Sequence, residues 1–208
     1  MNLENIQSEL RRAGLPDAMK SDTIERIASY FELRSNWSQT HNVAGPQSMK
    51  TPWELDLPDA VAANEVLHGS LPLADVGTGS GTPGLIIACI RPDLRIFLVE
   101  PIAKRTAFLR MCVAKLALKN VRVLRNRWPC VVPEDTVQVI SRAVVSPEEW
   151  PGLAASRENA NDHIIRMLAA QRPSVTLTDY ALQSHLEYSL GIHGERLVER
   201  WAPIADSD

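Results

Sequence analysis

Asp75, Gly77, Gly79 and Gly81 form a D-x-G-x-G-x-G pattern inside the stretch LADVGTGSGTPGL, residues 73–85, and Glu100 ends another apolar run nineteen residues after Gly81. Glycines this closely spaced cost backbone entropy, and three readings account for them: a tight turn, a phosphate cradle, or a pocket for a nucleoside cofactor. A Walker-type phosphate loop requires Gly-Lys-Ser/Thr, which the stretch lacks. Gly79, Gly81 and Gly84 give the dinucleotide pattern G-x-G-x-x-G only one step out of phase. The acidic pattern fits a nucleoside better, because the glycines admit a ligand close to the backbone and a carboxylate ending the second strand can accept both ribose hydroxyls. S-adenosylmethionine requires that pairing without a pyrophosphate site. Gly77, Thr78, Gly79, Gly81 and Thr82 are therefore the expected cofactor loop, and Glu100 the expected ribose acceptor. Asp75 either orients the loop through local bonds or contacts the methionine end directly.

These residues need a scaffold, and the chain supplies an alternating one. Leu3, Ile6 and Leu10 share one face of a short helix stopped by Gly14 and Pro16. Ser21 can cap a second helix with the stripe Ile24, Ile27, Ala28 and Phe31, before the polar stretch SNWSQTHNVAGPQS reads as a loop. Pro58 is placed to start a helix through DAVAANEVL. Beyond it the expected order is strand 71–76, helix PGLIIACI, strand 94–100, helix AKRTAFLRMCVAKLAL, strands VRVLRN and VQVIS, a helix within 147–171, and strand SVTLTD. Strands separated by helical crossovers imply a doubly wound α/β sheet, mostly parallel. SHLEYSLGI and ERLVERWA, divided by a short turn, read as an antiparallel C-terminal edge. The expected organisation is one domain over 1–208, with residues 1–60 as an N-terminal helical appendage and 61–208 as the α/β core.

At 208 residues, 45% of them hydrophobic, the chain is long enough for a substantial core. No run approaches the roughly 20 apolar residues of a membrane span, and the polar start MNLENIQSELRR does not resemble a secretory leader, so a cytoplasmic, monomeric protein is expected. Cys89, Cys112 and Cys130 are far apart and show no metal-ligand spacing, so they are expected to be buried or free thiols, with no metal. The formal charge of -3 is unevenly spread: residues 91–130 hold ten Lys/Arg against two Asp/Glu, and the remainder of the chain is acidic. Such a block is either a polyanion-binding face or a solvated surface. Lys104, Arg105 and Arg110 lie on one helix, the first two in its first turn, where they can track phosphates.

DVGTGSGTPGL, RPDLRIFLVEPIAKRTAFLR, ALKNVRVLRNR and ISRA, in that order, resemble the RsmG (GidB) family, class I (Rossmann-like) methyltransferases that form 7-methylguanine in small-subunit ribosomal RNA. The resemblance covers roughly residues 30–146. It implies S-adenosylmethionine as cofactor and ribosomal RNA, or the small subunit itself, as substrate. It also implies Arg142, in SRA, as a positioning side chain for a phosphate, a guanine edge or the cofactor carboxylate, with a structural ion pair as the alternative. Trp37 and Asn42 match an upstream family segment, so Asn42 is a candidate substrate contact, and His41 could also touch substrate. His68, His163, His185 and His193 read as surface or turn residues.

The chain departs from the family at Val43-Ala44, just after Asn42, and at three further places. Leu55 and Asp56 replace an arginine and a histidine in the segment LDLPDAV, which keeps Asp59. Trp128 and Pro129 follow Arg127 where the family has the pair lining the adenine pocket, so Trp128 either stacks on adenine or fills core space. LTDYALQ stands in place of a glycine-lysine-glycine region. A small-molecule methyltransferase and a cofactor-binding protein without catalysis are the alternatives to an RNA methyltransferase. Methylation of guanine N7 needs no general base, because its lone pair attacks without a proton leaving. Positioning alone can supply much of the rate.

Overall fold

The computed structural model describes residues 3–12, 21–39, 51–142, 144–157, 161–169 and 177–204. Among the described residues three helices come first: α1 (Leu3–Arg12), α2 (Ser21–Ser38) and α3 (Pro52–Val66). Then β1 (Leu73–Val76), α4 (Gly84–Ile90), β2 (Ile96–Val99), α5 (Ala103–Lys115) and β3 (Val121–Leu124) alternate. They are followed by β4 (Gln138–Ile140), α6 (Trp150–Ala154), β5 (His163–Ala169), β6 (Tyr180–Ser189), a 3-10 turn (Gly191–His193) and β7 (Glu195–Pro203).

The seven strands form one sheet in the order β3-β2-β1-β4-β5-β7-β6. The first five are parallel, and β7 runs antiparallel between β5 and β6. The C-terminal hairpin thus closes one edge, as its two alternating segments predict. β1 is central, with Asp75 in register with Leu98 on one side and Ile140 on the other. The chain moves from β1 outward to β3 and returns to β4, so the strand order reverses between β1 and β4, which is where open α/β sheets bind ligands.

Burial explains the sequence character of the strands. β1, β2 and β4 are buried along their whole length and show no alternation, whereas β6, at the sheet edge, alternates. On one face, Leu73, Leu98, Ile140 and Ile165 share a core with Ile24, Ile27 and Phe31 of α2, Leu57 and Val61 of α3, Leu85 of α4 and Phe108 of α5. The opposite face carries Val76, Val99, Trp128, Val139 and Trp150. The helices before residue 67 therefore pack into the same core as the sheet.

Four local expectations are corrected. α2 continues through SNWS to Ser38, because its stripe extends from Phe31 to Arg34 and Trp37; Trp37 packs on Phe108 with ring centroids 5.6 Å apart. The remainder of the expected loop, 40–50, lies outside the described residues, as do Gly14 and Pro16. α3 begins at Pro52, in whose first turn a missing N–H costs nothing, and Pro58 lies inside the helix. The described residues of 147–171 hold the short α6 and then a strand: HIIRMLA is β5, buried between β4 and β7, so its apolar residues run together without a period of two. Of SVTLTD, residues 177–179 are not strand, and 174–176 lie outside the described residues.

Candidate functional site

The loop leaving β1 continues its ladder for one step: the Gly77 and Thr78 amides donate to Val99 O at 2.8 and 3.3 Å. The chain then turns through left-handed backbone at Gly77, φ +63°, a region costly for other residues. A Cβ built there would lie 2.0 Å from Val144 Cγ2, so the Val144 side chain occupies the space above Gly77. Asp75 lies beneath the loop, fully buried. Its Oδ2 accepts from Thr78 Oγ1 at 2.6 Å and from the Gly84 amide at 2.9 Å. Burial pushes its carboxyl up to about 6 against those two bonds. Of the two roles open to Asp75, these contacts supply loop orientation; Oδ1 is buried with no hydrogen-bond partner among the described residues.

Glu100, 1% exposed, ends β2 beside the loop. Its Oε2 accepts from the Gly79 amide at 3.0 Å and its Oε1 from the Ile102 amide at 2.9 Å, while Arg105 Nη1 stands 3.9 Å from Oε2. The carboxylate thereby ties the glycine loop to the start of α5, where Thr106 Oγ1 donates to Glu100 O at 3.0 Å. Each carboxylate oxygen retains acceptor capacity beyond these bonds.

On the other side of β1, just past β4, Arg142 is 28% exposed and belongs to a network that sequence reasoning missed. Its Nη1 donates to Asp56 Oδ1 and, at 3.4 Å, to Asp59 Oδ2. Asp56 Oδ2 also accepts from Arg34 Nη1 at 2.6 Å, and these two side chains are 0% and 1% exposed. Arg34 reaches Thr82 Oγ1 at 3.4 Å, and the Tyr30 hydroxyl donates to Ser80 O at 2.8 Å and lies 2.9 Å from Thr82 Oγ1. The Arg34 guanidinium also lies 5.5 and 5.2 Å from the Tyr30 and Phe31 ring centroids. Two N-terminal helices therefore grip both the glycine loop and Arg142. Burial alone would lower the Arg142 pKa, but Asp56 and Asp59 outweigh it and the net shift is upward.

Asp75, Gly77, Gly79, Gly81, Glu100 and Arg142 converge at the carboxyl ends of β1, β2 and β4. The Thr78 and Thr82 hydroxyls are buried and bonded inward, to Asp75 and to Tyr30 with Arg34. Trp128 fills the second core, its Nε1 donating to Leu153 O at 2.9 Å, while Pro129 is exposed. Lys104 and Arg110 are exposed, with no carboxylate partner among the described residues. Asn42 and His41 lie outside the described residues. Three of the other histidines lie where expected: His68 and His185 are exposed, and His193 is in the hairpin turn. His163 is a correction, since it opens β5, half-buried, with its ring 5.5 Å from that of His68; burial, then Arg200 and His68, pushes it down to about 4. Cys89 and Cys112 are buried, and burial pushes each thiol up to about 12.

The missed residues did leave a signal. Arg34 continues the stripe Ile24, Ile27, Phe31 at helical spacing, and Asp56 and Asp59 sit one turn apart among apolar neighbours. Opposite charges at core positions on two helices point to a buried pair.

A family profile described as "GidB: rRNA small subunit methyltransferase G" matches residues 23–173. The chain is 30% identical over 175 residues to "Ribosomal RNA small subunit methyltransferase G" of Dichelobacter nodosus, covering 84% of this chain and 83% of that one. It is 36% identical over 172 residues to the protein of the same name from Nitrosomonas europaea, covering 78% and 77%. Among solved structures, M. jannaschii TYW2 in complex with AdoMet shares the fold at 11% identity and TM-score 0.52, covering 72% of this chain and 76% of that one. A mutant of MtNAS in complex with S-adenosylmethionine does so at 13% identity and TM-score 0.51, covering 98% and 85%.

Proposed function

This chain belongs to the rRNA small subunit methyltransferase G family, and from that premise we propose that it transfers the methyl group of S-adenosylmethionine to N7 of a guanine in 16S ribosomal RNA. One observation carries the assignment of the site: a glycine cradle on β1 is flanked by a carboxylate at the end of β2 and a guanidinium just past β4. Neighbouring strands lie about 4.8 Å apart, so the flanking strands are roughly 10 Å apart. That span suits a ligand with ribose hydroxyls at one end and an amino-acid carboxylate at the other.

Bound there, S-adenosylmethionine supplies an electrophilic sulfonium methyl group. Glu100 would accept from the ribose hydroxyls, and the backbone at Gly79, above which nothing among the described residues lies nearer than Gly77 O at 3.8 Å, would lie against the ligand. The Arg142 Nη1 is taken by the aspartates, leaving the rest of its guanidinium edge for the carboxylate. Pro129, the exposed member of its pair, would border the adenine side. Because N7 carries a free lone pair, the chain's task is to hold the base in line with the methyl carbon and exclude water. Lys104, Arg105 and Arg110 would track the phosphates of the RNA. No helix among the described residues is long and apolar enough to cross a membrane, and the reading that accompanies this substrate is a monomer in the cytoplasm. Incubation with methyl-labelled cofactor, separately offered small ribosomal subunits, protein-free 16S RNA and a metabolite extract, tests the substrate class. Label should enter RNA; label recovered only in metabolites would overturn the proposal.

A further inference from the structure

The C-terminal hairpin reaches the site from outside the family-matched stretch 23–173, through the hydroxyl of Tyr188 and the nearby charge of Arg196. Tyr188, on the edge strand β6, donates from its hydroxyl to Asp59 Oδ1 at 2.7 Å, across a sequence separation of 129 residues. The opposite oxygen, Oδ2, accepts from Arg142 Nη1 at 3.4 Å. We propose that Tyr188 is a positioning residue for cofactor recognition: by fixing the rotation of Asp59, it aims the guanidinium of Arg142 at the ligand's carboxylate.

Three observations carry this. Arg142 has only Asp56 and Asp59 as ion-pair partners among the described residues; Asp56 is bonded to Arg34 as well, whereas the second arginine acting on Asp59, Arg196 of β7, does so as a nearby charge. A carboxylate held at one oxygen by a donor on another element cannot swing, and the geometry of its second oxygen is thereby set. The hairpin is itself held against α3 at a second point, where Ser184 Oγ and Arg200 Nε donate to Val66 O at 3.3 and 2.8 Å, so the Tyr188 hydroxyl has a fixed position relative to Asp59. Tyr188 remains protonated, and so a donor, because burial and then the Asp59 charge both push its pKa upward.

The proposal rests on the reading that Arg142 receives the cofactor carboxylate, and the test separates the two. S-adenosylhomocysteine carries that carboxylate, whereas 5′-methylthioadenosine keeps the nucleoside and sulfur but lacks the amino-acid arm. Dissociation constants for both ligands are measured by calorimetry on the full chain and on Tyr188→Phe, Asp59→Asn, Arg142→Met and the Tyr188→Phe/Arg142→Met double variant. Tyr188→Phe should weaken S-adenosylhomocysteine about three- to tenfold, in line with the loss of one hydrogen bond, and leave methylthioadenosine within about twofold. The double variant should match Arg142→Met alone, because the hydroxyl acts only through the arginine. Asp59→Asn should show the same selective loss, and it decides the matter if Tyr188→Phe fails to fold. Equal weakening of both ligands, no weakening of either, or losses that multiply in the double variant would overturn the role of Tyr188. If Arg142→Met leaves the preference for S-adenosylhomocysteine intact, the carboxylate assignment falls, and the role of Tyr188 with it. A loss in Arg142→Met with none in Tyr188→Phe or Asp59→Asn rejects the hairpin alone.

Discussion

Asp56 is the carboxylate on which both arginines of the network converge, and replacing it by alanine isolates what that sharing is worth. Asp56 and Arg34 are 0% and 1% exposed and bonded at 2.6 Å, so Asp56→Ala leaves a buried guanidinium without this counter-ion. Breaking such a pair costs about 3–5 kcal/mol. The Tyr30 and Phe31 rings, 5.5 and 5.2 Å from the Arg34 guanidinium, offset part of it, which places the expected loss near 3 kcal/mol. For a chain of this size that corresponds to a fall in Tm of roughly 6–12 °C. Arg34→Met should cost less, because Asp56 then keeps Arg142 as its partner. Arg34→Met combined with Asp56→Leu should recover part of the Asp56→Ala loss, since apolar residues of similar volume need no counter-ion. Urea titrations followed by far-UV circular dichroism give the three values by linear extrapolation. A cost below about 1 kcal/mol for Asp56→Ala, or a larger cost for Arg34→Met than for Asp56→Ala, would refute the argument from shared charge.

The other predictions address the cradle, its charge and the basic face. Gly77→Asp should lose S-adenosylhomocysteine binding, since a side chain at φ +63° strains the loop and its Cβ must displace Val144, whose Cγ2 it meets at 2.0 Å; calorimetry on the folded variant giving an unchanged constant would contradict the cradle. Glu100→Ala should weaken the same ligand by about 1–3 kcal/mol through the loss of charge-assisted bonds, and an unaltered affinity would move the ribose contact elsewhere. Burial raises the Asp75 carboxyl from 3.8 to about 6, so the folded chain holds a proton there that the unfolded chain has released. The Asp75 contribution to stability is then complete below about pH 4 and declines by about 3 kcal/mol as pH rises through 6. Asp75→Asn should gain on the parent chain by that amount between pH 4 and pH 7 in urea titrations, and a constant difference would contradict the assignment. Replacing Lys104 and Arg105 together by alanine should reduce the salt dependence of RNA binding by up to about two counterions while leaving cofactor affinity unchanged. An unaltered salt slope would make the block a solvated surface.

The cofactor loop was legible because its chemistry is local: three glycines, an acid two residues before them, and strand-forming runs on both sides. Glu100 was equally visible, since the end of β2 falls beside the loop whenever strands and helices alternate in this order. The antiparallel hairpin could be recognised from its edge position, where one face meets water and the alternation survives. β5 was concealed for the converse reason: coverage on both faces removes the alternation that distinguishes a strand from a helix. Tyr30, Arg34 and Tyr188 escaped because their partners lie on other elements, at separations of 50, 22 and 129 residues. Asp56 was visible only as a departure from a family pattern, and its pairing with two arginines depends on α2, α3 and the end of β4 meeting in space.

The measurement that bears most directly on the central claim is the identity of the methylated nucleoside. The full chain is incubated with methyl-labelled S-adenosylmethionine and small ribosomal subunits that lack the modification; the 16S RNA is then digested to nucleosides and separated by chromatography with mass detection. The account predicts label in 7-methylguanosine, confined to one position of the RNA and abolished by Gly77→Asp. Label in another base, or no transfer from a chain shown by calorimetry to bind S-adenosylhomocysteine, would contradict it.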